Sequence, residues 1–430
     1  MRAGVIGGGL CGLSAAIRLA QRGIGVDLFE AAPTPGGRTR SFFEPRIGQW
    51  VDNGPHLLSG AYHDTMQLLS EAGAAGNITW QGSLSLPLWD AARGHFQLKP
   101  QASLPLALTL PWSCSRLPGH GWSDIPSLLR IAGLLKRHVD PRENVHNWLR
   151  IARVPQALIR DLLEPMCLGA MNEPLERANA ASFKSVLHDA FAGHTSARLG
   201  WFNRPLRDAL IEPLITMAHG LGVRIHTSER IRDIRPESNG FELRTAQQSI
   251  HVDACILALP LRAAQQLVRA PVTAVTRRIS NIHLWFTGMS PLSHPFIGGI
   301  DTTGQWFFDI SSQMPGLRPA TAKADRLRHI CVVISNDETG LQGDALIARV
   351  CSELDGIGAT DGSCKLHHAR IVSEHHATAS VTAGGSGLQI PQGMIDACEA
   401  PQPGDIPATI ESAVRRGKTA ANQCYLQLAN

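Results

Sequence analysis

The chain has 430 residues, 43% of them hydrophobic, and a formal charge of +4. That length exceeds what one hydrophobic core serves, so two domains are expected, and the mild, scattered charge excludes a nucleic-acid footprint. Nine cysteines without framework spacing exclude a disulfide scaffold, and no CxxC or HExxH occurs to suggest a metal site.

Gly4-Val5-Ile6 reads as a short apolar strand that runs into Gly7-Gly8-Gly9-Leu10-Cys11-Gly12 and a helical stretch over 13–21. A second apolar strand, Val26-Asp27-Leu28-Phe29, ends on Glu30. This is a dinucleotide fingerprint in its required strand–turn–helix–strand setting. Gly7 permits the tight turn, Gly9 lets backbone approach a pyrophosphate, and Gly12 lets helix and strand pack closely. The helix N-terminus offers amides to the anion. Glu30 is placed to hold a ribose, and its charge disfavours a 2′-phosphate, so FAD or NAD is expected over NADP. A disulfide at Cys11 would obstruct this turn, which fits a reducing, cytoplasmic setting. With the opening strand starting at once, no leader peptide is expected.

Next, Pro35-Gly36-Gly37-Arg38-Thr39-Arg40 places permissive residues before a guanidinium, where a loop can return over the pyrophosphate. Flavoproteins of the amine oxidase and carotenoid desaturase superfamily carry such a second phosphate clamp, and the chain resembles them from its first residue. Asp52-Asn53-Gly54-Pro55-His56 follows the strand-like Gln49-Trp50-Val51. Beyond residue 62, helices separated by prolines are expected over 64–72, 125–139, 145–151, 155–168 and 205–221. The apolar stretch 102–112 is broken by Pro105 and Pro111, and no run reaches the roughly 18 residues that span a bilayer. Residues 125–139 form an amphipathic pattern with a basic end, suited to a membrane surface or to the core of the second domain.

Strand patterns return over 223–226, 231–234, 240–245, 249–253 and 254–260, then over 281–286, 305–310 and 329–335. The expected fold class is α/β. A discontinuous Rossmann-like FAD-binding domain (1–62, 222–274 and 376–430) is joined to an α+β substrate domain (63–221 and 275–375). The pairs His367-His368 and His375-His376 lack spaced partners for a metal. A final helix begins near Pro407-Ala408-Thr409-Ile410, and its N-terminal dipole suits the electron-rich edge of a reduced flavin.

The chain resembles, over essentially its full length, the squalene-associated FAD-dependent desaturases now described as hydroxysqualene dehydroxylases. The resemblance rests on the two glycine motifs, Asp52-Asn53-Gly54-Pro55-His56, Leu168-Gly169-Ala170-Met171-Asn172, His283-Leu284-Trp285-Phe286, Gln305-Trp306-Phe307-Phe308-Asp309 and residues 407–417. It implies non-covalent FAD and an allylic C30 isoprenoid alcohol that loses hydroxyl as reduced flavin delivers hydride, giving squalene. It also implies that Gly7, Gly9, Gly12 and Glu30 hold the ADP half, Gly37 and Arg38 the pyrophosphate, and the Ile231 backbone the adenine. Gly54, Asp396, Pro407, Ala408, Thr409 and Ile410 then border the ribityl chain and isoalloxazine. His56, near the flavin by family position, is the candidate acid because imidazole protonates near neutral pH; Asp309 and Glu411 are weaker candidates. The sequence departs from the family at Ile395, where glycine is usual and a β-branched side chain is expected to crowd the cofactor, at Pro55 and at Arg416. Peripheral contact with the inner face of the cytoplasmic membrane and association with squalene-synthesising enzymes go with such a substrate. A carotenoid or phytoene-type desaturase and an amine oxidase-like flavoenzyme are the alternatives that keep the cofactor. An impaired flavoprotein acting as an assembly partner is the alternative that gives it up.

Overall fold

The structure is a computed structural model that describes all residues except 272, 274, 318–326, 361–362, 382–387, 407 and 430. The opening strand Arg2–Ile6 lies at the centre of a five-stranded parallel sheet, in the order Arg224–His226, Gly25–Phe29, Arg2–Ile6, Ala254–Leu257, Met394–Asp396. Its strands are short, nearly continuous apolar runs because both faces are covered. Helices Leu10–Ala20 and Ile410–Ala429 cover one face, so closely that a Cβ on Gly417 would lie 2.2 Å from the Cys11 carbonyl oxygen. A three-stranded antiparallel sheet (Asp233–Glu237, Gly240–Arg244, Ser249–Val252) covers the other, packing Phe241, Leu243 and Ile250 against Phe29 and Leu257. Asp27, fully buried in the parallel sheet, takes hydrogen bonds from Arg2, Arg224 and His226 that hold its carboxyl well below the usual range against the opposing effect of burial.

A second, seven-stranded sheet runs in the order Lys365–Ala379, Thr276–Thr287, Leu327–Ser335, Trp306–Asp309, Phe296–Ile300, Leu86–Asp90, Gly94–Leu98. Alternation along its strands separates two faces. Ile282, Leu284, Phe286, Ile330 and Val332 pack beneath helix Gly343–Gly356, whereas Asn281, His283, Trp285, His329 and Cys331 occupy the opposite face. Trp306–Asp309 ends in an N-cap: Asp309 Oδ1 accepts the Ser312 amide (3.0 Å) and the carboxylate pairs with Arg328, so Asp309 is a structural residue.

Two helices expected to be regular contain π turns, Ile159–Leu163 and Arg207–Ile211, each running into a Glu-Pro pair. Proline has no amide and crowds the preceding turn, and a widened turn accommodates it. The amphipathic helix spans Ile125–Leu134, shorter than the expected 125–139. Gly133 weakens its last turn, and Leu134 and Leu135 pack against a core that includes Ile131 and Val139. Among the described residues, no helix is long and apolar enough to cross a membrane.

Candidate cofactor and active site

The three fingerprint glycines stand at the carboxyl end of the central strand. Gly7 has φ of +109°, and a Cβ there would lie 2.3 Å from the Ala258 oxygen. A Cβ on Gly12 would sit 1.8 Å from the Gly7 oxygen, an impossible approach. Around Gly9, by contrast, a Cβ would meet no protein atom within 4 Å. Two of the glycines are therefore demanded by the protein's own packing. The third fronts an opening at the first turn of helix Leu10–Ala20, where free amides and the helix dipole favour an anion.

Glu30 is oriented at the end of the second strand, with Oε2 accepting from the Gly8 amide and Oε1 from the Ala32 amide, both at 2.8 Å. The amides of Ser228 and Glu229 donate to the carbonyls of Ala32 and Glu30 at 2.9 Å, which brings the segment leading to Ile231 alongside. The Ile231 side chain is buried in the cluster between the two sheets of this region.

The second glycine motif folds back onto the first. The Gly36 amide donates to the Gly8 oxygen (2.8 Å), and Gly37, at φ of +59°, approaches so that its Cβ position is 3.3 Å from Gly9 Cα. Arg38 stands beside this contact, where it pairs with Glu399 and donates to the Ala377 oxygen at 2.5 Å. Burial works against the guanidinium charge, but Glu399 overrides it and raises the Arg38 pKa. Glu399 carries no motif signal. Only its burial beside a cation reveals it.

Arg416 is the other cation here. Burial pushes the Cys11 thiol pKa up, and Arg416, hydrogen-bonded to that thiol, works in the opposite direction. The Arg416 Nε is buried without a hydrogen-bond partner, as is Asn53 Oδ1 in the neighbouring loop. Orphaned polar atoms flanking an open glycine turn fit a large polar ligand that would satisfy them. Asp396 ends the last parallel strand and accepts the Cys398 amide (2.9 Å). Ile395 does not crowd this end as expected. It pairs in register with Ile256, and its side chain joins the core on the helix-covered face of the sheet.

At the start of the last helix, Thr409 and Ser412 cap each other: Thr409 Oγ1 accepts the Ser412 amide (3.1 Å) and Ser412 Oγ the Thr409 amide (2.9 Å). Ala408 and Ile410 flank this cap, and Pro407 lies outside the described residues. Burial pushes the Tyr62 phenol, hydrogen-bonded to Thr409, up to about 12. Glu411 is fully buried and accepts the amides of Asp64 and Thr65 at the start of helix His63–Glu71, a structural role.

The two sheets approach one another at the loop 53–56, where a Cβ on Gly54 would lie 2.6 Å from Asn281 Oδ1. His56 donates from Nδ1 to the Gly54 oxygen at 2.9 Å, which leaves Nε2 as its acceptor. Burial lowers its pKa, so the ring is neutral near pH 7, contrary to the expectation of a readily protonated imidazole. The adjoining strand Gln49–Asp52 supplies a different acid. Asp52 is nearly buried; its Oδ1 accepts from Ser41 Oγ (2.6 Å) and the Leu206 amide (2.8 Å), and burial pushes its pKa to about 7. Asp52, Pro55, His283, His329, Trp50, Met314 and other residues line a cavity of about 10 Å³, room for one water. His283 Nδ1 lies 3.0 Å from His329 Nε2, and burial lowers both pKa values, that of His283 to about 4. A wider depression of about 560 Å³, lined by Glu71, Asp208, Glu212 and Met217 among others, contains none of the glycine-turn or histidine residues and is not the site. Among the described residues, no group of three or more His, Cys, Asp or Glu is placed to hold a metal.

A glycine turn left open at Gly9, with Glu30 beside it and the Gly36–Gly37 turn folded back onto it, fits a dinucleotide. Residues 10–355 match the family described as flavin containing amine oxidoreductase, and the chain belongs to that family. Flavin together with the dinucleotide turn makes the cofactor FAD. More narrowly, the chain is similar to the hydroxysqualene dehydroxylases of Zymomonas mobilis (25% identity) and Sinorhizobium fredii (28%), in each case over 97% of both chains. Its fold is similar to that of cyclohexylamine oxidase from Brevibacterium oxydans, with a TM-score of 0.71 at 15% identity over 100% of this chain and 99% of that one.

Proposed function

We propose that this chain is an FAD-dependent hydroxysqualene dehydroxylase of squalene and hopanoid biosynthesis. The observation that carries this reading is end-to-end similarity to two dehydroxylases, with the family's glycine motifs in working geometry. When bound and reduced, FAD supplies a hydride to the allylic carbon from which hydroxyl departs. The balance is alcohol plus hydride plus proton, giving squalene and water.

The chain's own residues divide the remaining work. Gly9 and Gly37 admit the pyrophosphate, Arg416 and Arg38 neutralise it, and Glu30 takes the ribose hydroxyls. The Ile231 backbone borders adenine; Gly54, Asp396 and the capped turn at Ala408, Thr409 and Ile410 border the ribityl chain and ring. Hydroxide is a poor leaving group, and an acid at its oxygen assists departure. Asp52 holds a proton to about pH 7 and delivers it from Oδ2, the oxygen not engaged by Ser41 and Leu206. His56, held neutral, orients the departing oxygen through Nε2. The apolar walls around His283 and Trp285 keep water from the reacting centre.

The discontinuous division into an FAD-binding domain (1–62, 222–274 and 376–430) and a substrate domain (63–221 and 275–375) belongs to the same reading. The substrate's insolubility places the enzyme on the inner face of the cytoplasmic membrane, beside squalene-synthesising enzymes. Incubating anaerobically reduced holoenzyme with hydroxysqualene and separating the products by chromatography tests the function. Squalene is expected, with yields falling at least about tenfold in His56→Ala and Asp52→Asn. Oxidation of a polyene by oxidised holoenzyme, with hydroxysqualene returned unchanged, would point to a desaturase.

A further inference from the structure

Five large apolar side chains exposed to solvent, Leu104, Leu108, Trp112, Trp122 and Leu129, fall between residues 104 and 129. Helix Leu106–Ser115 is apolar around its whole circumference. Leu106 and Leu110 turn inward, while Leu108 (67% exposed) and Trp112 (45%) follow one another a turn apart on the outer side. Trp122, 66% exposed, meets Trp112 edge to face with ring centroids 4.8 Å apart. It leads directly into helix Ile125–Leu134. There Ile131 is buried, and Leu129, two residues away and so on the opposite side, is 60% exposed. Leu128 and Leu135, on the same stretch, pack against the core and take no part in a membrane-facing surface. The outward face is the one defined by Leu129.

Charge singles out the same region. Residues 99–153 contain eight Lys and Arg against three Asp and Glu, a net +5. The whole chain carries +4, so the remainder sums to −1. Arg116, Arg130, Lys136 and Arg137 are exposed, and Arg116 lies over the Trp112 ring at 5.7 Å. Asp124, between the two helices in sequence, is buried against His120. A surface of tryptophan and leucine with exposed cations beside it has the composition of an interfacial membrane anchor.

We infer that helices Leu106–Ser115 and Ile125–Leu134 dock the protein on an anionic lipid bilayer. Leu108, Trp112, Trp122 and Leu129 enter the boundary between headgroups and acyl chains, and Arg116, Arg130, Lys136 and Arg137 pair with lipid phosphates. The use of this surface, extraction of an insoluble isoprenoid alcohol, rests on the function proposed above; its affinity for lipid does not.

Co-sedimentation of FAD-loaded protein with phosphatidylcholine vesicles, with and without phosphatidylglycerol, tests the inference. Wild type is expected to bind the anionic vesicles at least about tenfold more tightly than neutral ones, and to release as salt rises. The double variant Leu108→Ser, Trp122→Ser is expected to lose about tenfold in partitioning while keeping wild-type melting temperature and flavin absorbance. The variant Arg116→Glu, Arg130→Glu should lose the preference for anionic lipid. Brominated acyl chains should quench wild-type tryptophan fluorescence and quench the double variant less. Equal partitioning of wild type and both variants, or no vesicle binding by wild type, overturns the inference. Protein that binds vesicles but leaves hydroxysqualene unreacted contradicts the proposed function alone. Protein that converts detergent-dispersed substrate but ignores vesicles contradicts this docking surface alone.

Discussion

A single methyl group distinguishes the glycines in the turn after the first strand. At Gly12 it would collide with the Gly7 carbonyl, so Gly12→Ala is expected to destabilise the apoprotein by about 3 kcal/mol or more. At Gly9 it would meet only open space. Gly9→Ala should therefore melt like wild type without cofactor yet bind FAD at least about tenfold more weakly, because the added methyl occupies the approach to the pyrophosphate. Thermal melts of the apoprotein and FAD titrations separate the two effects, and equal FAD affinity in Gly9→Ala would remove the pyrophosphate from this turn. Asp52 gives a pH signature of the opposite kind to an ion-paired acid. Its pKa is raised by burial from near 4 unfolded to about 7 folded, so its contribution to stability is complete below pH 4 and is lost as pH rises through 7. Asp52→Asn should accordingly gain on wild type between pH 5 and pH 8 in urea unfolding, by up to about 4 kcal/mol. The same titration should lower wild-type turnover above pH 7. Gly7, Gly9, Gly12 and Glu30 could be singled out in the sequence because their signal is local: four residues within one strand–turn–helix–strand unit. Glu399, Asp52 and the His283–His329 pair were not, because their chemistry comes from burial against strands far away in the chain.

At the scale of elements, hydrophobic period located the parallel strands well, and the class of the fold followed from them. It did not show which face a side chain takes at a sheet edge. Ile395 looked like an intruder at a position where glycine is usual, yet the strand Met394–Asp396 turns it into the helix-covered core beside Ile256. Ile395→Gly is therefore expected to cost about 2–4 kcal/mol in chemical unfolding through the cavity it leaves, without tightening FAD binding. Tighter FAD in that variant would show that the side chain does obstruct the cofactor. Helical period was misleading where proline intervened. The stretches 155–168 and 205–221 keep an apolar stripe, but Pro165 and Pro213 withdraw an amide each, and π turns stand before them. Leu86–Asp90 and Gly94–Leu98 went unforeseen in a region that reads as helical; they pair with each other, and the pairing of Leu86–Asp90 with Phe296–Ile300, some two hundred residues on, leaves no local mark.

Across the whole molecule, the parallel sheet presents its phosphate turn, and the seven-stranded sheet presents Asn281, His283 and His329, to the loop 53–56 between them. Sequence periodicity identified the first of these assemblies almost completely. The second emerged only in part, since its strands come from both sides of a long helical insertion. Reductive removal of hydroxyl makes a quantitative demand on this arrangement: one reduced cofactor is consumed for each squalene made. Mixing anaerobically reduced FAD-loaded enzyme with hydroxysqualene in a single turnover, and following flavin absorbance together with squalene by chromatography, measures that ratio directly. The account predicts that the oxidised flavin band returns as squalene appears, in equal amounts and more slowly above pH 7. Flavin that stays reduced while hydroxysqualene persists, or squalene formed without flavin oxidation, would contradict it.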